Sequence, residues 1–280
     1  MTHSELLQHF LTAGERIRRA EEAGLPQARL ADLDHFRGLV QADLDAFLST
    51  LDAPFEARRV GLSPRALSQL AVLETTPDLF GPLDHIRAET LHTRVVAWAL
   101  SPHRLGPGLG TAPLRAFLTL LARDATSGIS PEWADSATHR IAKPEHHVRG
   151  CGRIDVWLEL ADAVFAIEAK VDAGLREWQL EDYQSAVKNP TRGRRGFVVF
   201  LTLERDNPPS SLPTLRVTFD DLLAAWLPIA AEGRSGEHLY LGAWLRTLAH
   251  HLYELSGLGP FSSWPRARRG RTLKQLEDHH

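Results

Sequence analysis

The sequence predicts an α/β chain, a mixed sheet flanked by helices, and three observations carry that reading. From Cys151 to Lys170 apolar and polar residues alternate with period two on either side of Ala161-Asp162, as in two strands folded back on each other. Gly196 to Thr202 is a continuous apolar run, suited to a central strand covered on both faces. Before and after these stretches lie segments whose apolar residues recur at steps of three and four, the spacing of helices that bury one stripe.

The chain has 280 residues, enough for one large domain or two modest ones at about 150 residues each. With 43% hydrophobic and 24% charged residues it has the composition of an ordinary globular protein. A single cysteine, Cys151, excludes an internal disulfide framework and suits a reducing interior. No apolar run reaches the roughly 18 residues that span a bilayer, and MTHSELLQHF lacks the basic start and apolar block of a signal peptide. The cytoplasm is therefore the expected compartment, with no membrane partner. The net charge of −3 does not decide for or against nucleic acid, because an acidic site can sit within a locally basic surface.

Residues 1–80 read as a helical N-terminal region. Ser4 caps a helix to Ala23 with Leu6, Leu7, Phe10, Leu11 and Ile17 on one face, broken at Gly24-Leu-Pro26. From Arg29 to Leu51 a second helix carries a seam of Leu30, Leu33, Phe36, Val40, Leu44, Phe47 and Leu51. The two would fold as an antiparallel hairpin, which either forms a homodimer or docks a partner, or covers the rest of the chain. Pro54, Gly61, Pro64 and Pro77 mark an irregular connection around a short helix from Pro64 to Leu73.

Residues 81–256 hold the sheet. Asp84 is the expected N-cap of a helix to Leu100 whose stripe contains Ile86, Glu89, Thr93, Val96, Ala97 and Leu100. A carboxylate in that company needs a partner, either Lys170 or water on a bound cation, or else Arg87 or Arg94. His92, one turn on, either reaches the same site or a phosphate or is a buried helix residue. Gly106 to Gly110 is glycine-rich but fails the spacing of a nucleotide cradle, and Leu114 to Arg123 reads as a buried helix. Ser127 to Pro144 is expected as a loop or irregular edge, and Glu145 to Arg149 as a first strand. His146 and His147, being adjacent, point to opposite faces and argue against a zinc site.

A two-residue turn at Ala161-Asp162 pairs Val156 with Ile167, Leu158 with Phe165 and Leu160 with Ala163, so one hairpin face is wholly apolar. On the other face Asp155 lies across from Glu168, with Lys170 further along beside Arg153, which is a candidate nucleic-acid contact. Cross-strand Cβ atoms are about 4.5 to 5.5 Å apart, where like charges repel. A divalent cation compensates for that closeness, since two carboxylates and the Ala169 carbonyl are the oxygen donors Mg²⁺ and Mn²⁺ prefer. The other reading has both acids facing solvent and paired with Arg153 and Lys170.

This constellation resembles the PD-(D/E)xK nuclease superfamily, whose core is a helix, three strands containing a hairpin, a second helix and a further strand. The matching residues are Asp155 in GRIDV and Glu168 and Lys170 in IEAK, with Ile154 where many members have proline. RAETLHTRVVAWALSP looks like the first core helix, with Glu89 as a further metal contact, and LREWQLEDYQSAV looks like the second, with Gln179 facing the site. The resemblance runs from about Asp84 to Thr218 and implies a restriction-endonuclease-like fold. It implies Mg²⁺, with Mn²⁺ as substitute, held by Asp155, Glu168, Ala169 and Glu89, and catalysis assisted by Lys170 and Gln179. The function implied is hydrolysis of nucleic acid, DNA ahead of RNA, in phage defence or DNA processing. The alternative is a catalytically silent nucleic-acid-binding or scaffold protein that keeps the fold.

After Lys170 the chain turns into a helix from Leu175 to Lys188, with Gln179 inside the arc of Leu175, Trp178, Tyr183, Ala186 and Val187. An amide facing inward must hydrogen-bond, either to the site or to a carbonyl at the sheet end. Arg192, Arg194 and Arg195 precede the apolar strand and either hold phosphates near the active edge or form a solvated cluster. Asn207-Pro-Pro209 opens a loop and Leu215 to Thr218 is short enough for a last strand. Asp220 to Ile229 and Glu237 to Leu255 read as helices, with His250 and His251 facing different directions. Residues 257–280 read as a basic tail, in which Trp264, Arg268 and Arg269 suit base stacking and phosphate contact or are simply solvated.

Overall fold

The computed structural model describes Glu15, Arg19 and residues 27–83, 86–135, 141–171, 179–188, 193–204 and 214–278. Its sheet has five strands: β1 (Ile141–Val148), β2 (Gly152–Glu159), β3 (Ala163–Lys170), β4 (Arg195–Thr202) and β5 (Leu215–Thr218). They lie in the order β1-β2-β3-β4-β5. The first two pairings are antiparallel and the last two parallel, so the sheet is mixed as predicted. Val156 pairs with Ile167 and Leu158 with Phe165, and the Leu160 amide donates to the Ala163 carbonyl at 2.8 Å across the two-residue turn. The hairpin register is thus the expected one.

The apolar face of the hairpin is completely buried at Val156, Leu158, Leu160, Ala163, Phe165 and Ile167. Its other face is buried over its middle, at Trp157, Val164, Ala166 and Glu168. A helix from Gln179 to Lys188 packs Leu180, Tyr183, Ala186 and Val187 against Trp157, Val164, Ala166 and Val198. Glu168 lies on that covered face and is 0% exposed, so the reading with both acids in solvent does not hold. β1 begins at Ile141, inside the stretch expected as a loop. Pro144 fits there because β1 is an edge strand, where a missing amide donor breaks no ladder on the open side.

The helices, in chain order, are α1 (Gln27–Val60), α2 (Pro64–Thr75), α3 (Glu89–Ala99), α4 (Ala112–Leu121), α5 (Gln179–Lys188), α6 (Phe219–Ala231), α7 (Gly236–Thr247) and α8 (Arg266–Asp278). The chain divides into two compact units, residues 1–60 and 61–280. In the first, α1 runs for 34 residues and passes through Pro54, which was expected to lie in an irregular connection. A proline in a helix removes one backbone donor, and here the turns on both sides continue past it. Of its seam Leu44, Phe47 and Leu51 are half-buried; Leu39 and Leu48, outside the seam, are exposed. The expected helix from Ser4 to Ala23 and the break at Gly24 to Pro26 fall outside the described residues, apart from Glu15 and Arg19, which are helical.

In the second unit Ser63 caps α2 by accepting from the Ala66 amide at 3.2 Å, with Pro64 in the first turn, where no amide donor is needed. α2 packs against α6, α7 and α8. α3 packs against β1, β2 and β3 and begins at Glu89 after an N-cap at Ala88, four residues later than the expected cap. Asp84 itself lies outside the described residues. α6 opens on a capping box in which the Thr218 hydroxyl and the Asp221 carboxylate each take the other's backbone amide. α7 does not run on to Leu255 as one α-helix: it passes into a π turn at Leu248–Leu252. That turn brings the His250 and His251 rings within 4.4 Å of each other, edge to face.

The expected basic tail is a packed part of the unit. Phe261, Trp264, Leu273 and Leu276 are buried, and they anchor α8 across its polar surroundings. Arg268 donates to the carbonyls of His250 and Ser256, and Arg269 is 3% exposed. These two arginines and Trp264 therefore do not form the exposed stacking and phosphate surface expected of them. Four arginines in six residues suggested solvation, but the apolar anchors are spaced too widely to stand out in the sequence.

Candidate active site

The site forms where the β2–β3 ladder ends. Regular pairing stops at Val156 and Ile167, and at the next position the Asp155 carboxylate accepts the Ala169 amide at 3.0 Å. Residues three apart on a regular strand face opposite ways, yet Ile154 and Trp157 share one core cluster. The strand is therefore turned at Asp155, which swings a carboxylate to the end of the ladder. On the other side of β2, the pairs Pro144–Val156 and His146–Ile154 flank Glu145, whose φ is 51°.

Glu168 is the centre of the arrangement. The Lys170 ammonium lies 2.6 Å from its Oε1, and Gln179 Nε2 donates to the same oxygen at 2.7 Å. Its Oε2 accepts the Tyr183 hydroxyl at 2.6 Å. That hydroxyl also accepts from Gln179 Nε2 at 3.2 Å and lies 2.9 Å from the Arg153 carbonyl, so it ties α5 to both hairpin strands. Glu89, at the start of α3, closes the group from the other side. Its Oε1 accepts the Val171 amide at 3.1 Å and its Oε2 lies 3.4 Å from Lys170 Nζ.

Two carboxylates, of Glu89 and Glu168, thus flank one ammonium, and the charge of Asp155 also acts on it. Burial, and after it the charge of Asp155, pushes the Glu168 carboxyl up to about 7, against the pull of Lys170 and Tyr183. Burial also raises Asp155, more than the Ala169 amide and the Lys170 charge lower it. For Lys170 burial acts downward, but the bond to Glu168 and the surrounding carboxylates hold its pKa above the usual lysine value. Burial and the neighbouring Glu168 charge raise the Tyr183 phenol, which keeps it a proton donor at all ordinary pH.

Among the described residues no three His, Cys, Asp or Glu side chains converge as a ready-made metal cage. The oxygen donors of Asp155, Glu168 and the Ala169 carbonyl nevertheless fit a hard divalent cation in kind. Both acids are raised first by burial, and Glu168 next by the Asp155 charge. Glu89 is engaged by Lys170 and by the Val171 amide.

Of the residues expected at the site, Glu89, Asp155, Glu168, Ala169, Lys170 and Gln179 come together. His92 does not join them. It is 0% exposed, its Nε2 donates to the Ile86 carbonyl at 2.8 Å and its Nδ1 accepts from Trp244 at 3.1 Å. Both ring nitrogens are used, and burial lowers its pKa, so His92 is a neutral core residue out of reach of a phosphate. Arg153, half exposed, bonds Glu145 at 3.0 Å.

Arg194 and Arg195 lie at the wrong end of the sheet. β4 runs parallel to β3 with Ala163 beside Arg195 and Lys170 beside Thr202, which separates Arg195 from the site by seven residues of strand, about 23 Å. There Arg194 pairs with Glu159 at 3.3 Å, and Arg195 bonds the Gly128 and Ser127 carbonyls and lies over the Phe197 ring. Arg192 lies outside the described residues. Tyr183, in contrast, was expected only as part of an apolar arc. The signal that marks it is its position four residues after Gln179 on one helix face, which aims a phenol and an amide at the same acid.

A model of the PD-(D/E)XK nuclease superfamily matches residues 78–245, more than half of the chain and the whole of this constellation. No curated protein and no solved structure matches the chain.

Proposed function

Since the chain belongs to the PD-(D/E)XK nuclease superfamily, we propose that it hydrolyses phosphodiester bonds of nucleic acid, DNA ahead of RNA, with Mg²⁺ or Mn²⁺. The observation that carries this reading is the pair Asp155 and Glu168 at the end of one hairpin, both with raised pKa, beside Lys170. In the proposed mechanism Asp155, Glu168 and the Ala169 carbonyl would hold the cation, and Glu89 would close the site. The cation, once bound, neutralises charge on the phosphate and acidifies the attacking water.

The protein's own groups then have separate tasks. Lys170 carries a lasting positive charge, and on release from Glu168 it orients the attacking water and stabilises the extra negative charge of the pentacovalent transition state. Gln179 and Tyr183 fix the two oxygens of Glu168 so that the acid is oriented before substrate arrives. Water attacks phosphorus in line, the bond to the 3′ oxygen breaks, and the products are a 5′-phosphate and a 3′-hydroxyl. A role in phage defence or DNA processing suits this activity. The test is a panel of supercoiled plasmid, linear duplex, single strands and RNA with Mg²⁺ and Mn²⁺. Asp155→Ala, Glu168→Ala and Lys170→Ala are each expected to cut cleavage at least about a hundredfold. A wild type that binds Mn²⁺ but leaves all four substrates intact overturns the reading in favour of a silent binding protein.

For the N-terminal unit we propose that α1 mediates association, as a homodimer or with a partner protein, through its partly exposed leucine seam.

A further inference from the structure

Glu145 lies on β1 between the residues paired with Val156 and Ile154, which puts it next to Asp155 across the strand pair. Its Oε2 accepts from Arg94 Nη2 of α3 at 2.8 Å and its Oε1 accepts from Arg153 Nη1 of β2 at 3.0 Å. One carboxylate therefore spans two guanidiniums from different elements, one oxygen to each. The side chains of Arg94 and Arg153 are 58% and 51% exposed, and Glu145 is 27% exposed. Ion pairs this open to water contribute little to stability. Glu145 nevertheless sits at φ 51°, one of only two non-glycine residues among those described with a positive φ, a backbone conformation that L residues avoid. An unfavourable backbone that brings a carboxylate between two arginines, for little gain in stability, points to function.

The chemistry of the arrangement supplies one. A phosphodiester presents two non-bridging oxygens, and arginine is the side chain whose planar donor fork suits them. The neighbouring site carries three carboxylates and one lysine, so a polyanion approaching it needs a positive counterweight close by. Two guanidiniums against one carboxylate provide that charge. We propose that Arg94 and Arg153 form a phosphodiester clamp beside the acid site, and that Glu145 stands in for the phosphate until nucleic acid displaces it. The inference rests on the nuclease reading and deepens it by assigning the contact to a phosphate flanking the reacting one. No bond is made or broken in the exchange; one anion replaces another on the same donors, and Glu145 turns to water.

The test is the affinity of fluorescently labelled single-stranded DNA, duplex DNA and RNA for the full chain in EDTA, where no hydrolysis intervenes, at 50 to about 300 mM salt. Glu145→Gln and Glu145→Ala are expected to tighten binding about three- to tenfold at low salt and to steepen the salt slope by about one for each guanidinium released. Arg94→Gln and Arg153→Gln should each weaken binding and flatten that slope, and adding both to Glu145→Gln should abolish its gain. A purely structural Glu145 predicts a lower melting temperature with an unchanged salt slope, and that result overturns the clamp. So does unchanged binding in both arginine variants. If wild type binds and cleaves while the Glu145 variants show no gain, the clamp alone fails. If no nucleic acid binds to any form of the protein and none is cleaved with Mg²⁺ or Mn²⁺, the nuclease reading fails with it.

Discussion

The raised pKa of Glu168 makes the metal-free protein lose stability as pH rises. An unfolded glutamate gives up its proton near 4.5, whereas the folded one gives it up near about 7. Between those values the folded state binds more protons than the unfolded state, so the free energy of unfolding falls with increasing pH across this window. A difference of about 2.5 units at 1.36 kcal/mol each corresponds to about 3 kcal/mol, present below pH 4.5 and gone above pH 7. Asp155 is shifted in the same direction and adds to the slope, while Lys170 titrates well above the window. Urea denaturation in EDTA between pH 5 and pH 8 should show this loss, and Glu168→Gln, neutral throughout, should remove most of it. Saturating Mg²⁺ should raise stability most at pH 8, since it binds the ionised form. Equal pH slopes for wild type and Glu168→Gln refute the picture of a buried acid crowded by a second one.

The remaining predictions concern residues the site depends on or excludes. Tyr183→Phe removes a donor to Glu168 and is expected to cost about 1 to 3 kcal/mol of stability and to move the acidic limb of the cleavage pH profile upward; an unmoved profile would make the phenol a bystander. His92→Ala is expected to lower stability by about 2 to 4 kcal/mol through a buried cavity and two lost hydrogen bonds, while the oligonucleotide affinity of the folded fraction stays as in wild type. Removing residues 1–60 should leave the melting and cleavage of residues 61–280 intact and change the sedimentation of the chain; equal sedimentation would remove the associating role proposed for α1.

The hairpin was legible because period two and a two-residue turn leave one register, but the regular pairing ends at Val156 and Ile167, and the turn of the strand at Asp155, which carries its carboxylate to the Ala169 amide, had no sign in the alternation. Lys170 followed from the same alternation. What the sequence left open was direction. Nothing in GFVVFLT says whether it runs parallel or antiparallel to β3, and that choice decides whether Arg194 and Arg195 stand at the site or about 23 Å from it. Depth of burial was equally hidden: Glu168 reads as one of two alternating polar residues, and only the helix lying across it makes it fully enclosed. The Arg-rich C-terminus misled for a related reason. Charged residues predominate locally, while Phe261, Trp264, Leu273 and Leu276 meet their partners through contacts far apart in the chain. His92 was readable as a helix residue but not as the receiver of a hydrogen bond from Trp244, a residue 152 positions away.

The span from β3 to α5 also selects which of the two acidic amino acids can stand at position 168. Both oxygens there meet groups on the helix, Gln179 at 2.7 Å and Tyr183 at 2.6 Å. Aspartate is shorter by one methylene, about 1.5 Å, which would stretch each contact beyond hydrogen-bonding length. The interlayer gap acts as a gauge of side-chain reach, and shortening the acid would demand that the whole helix settle closer to the strand.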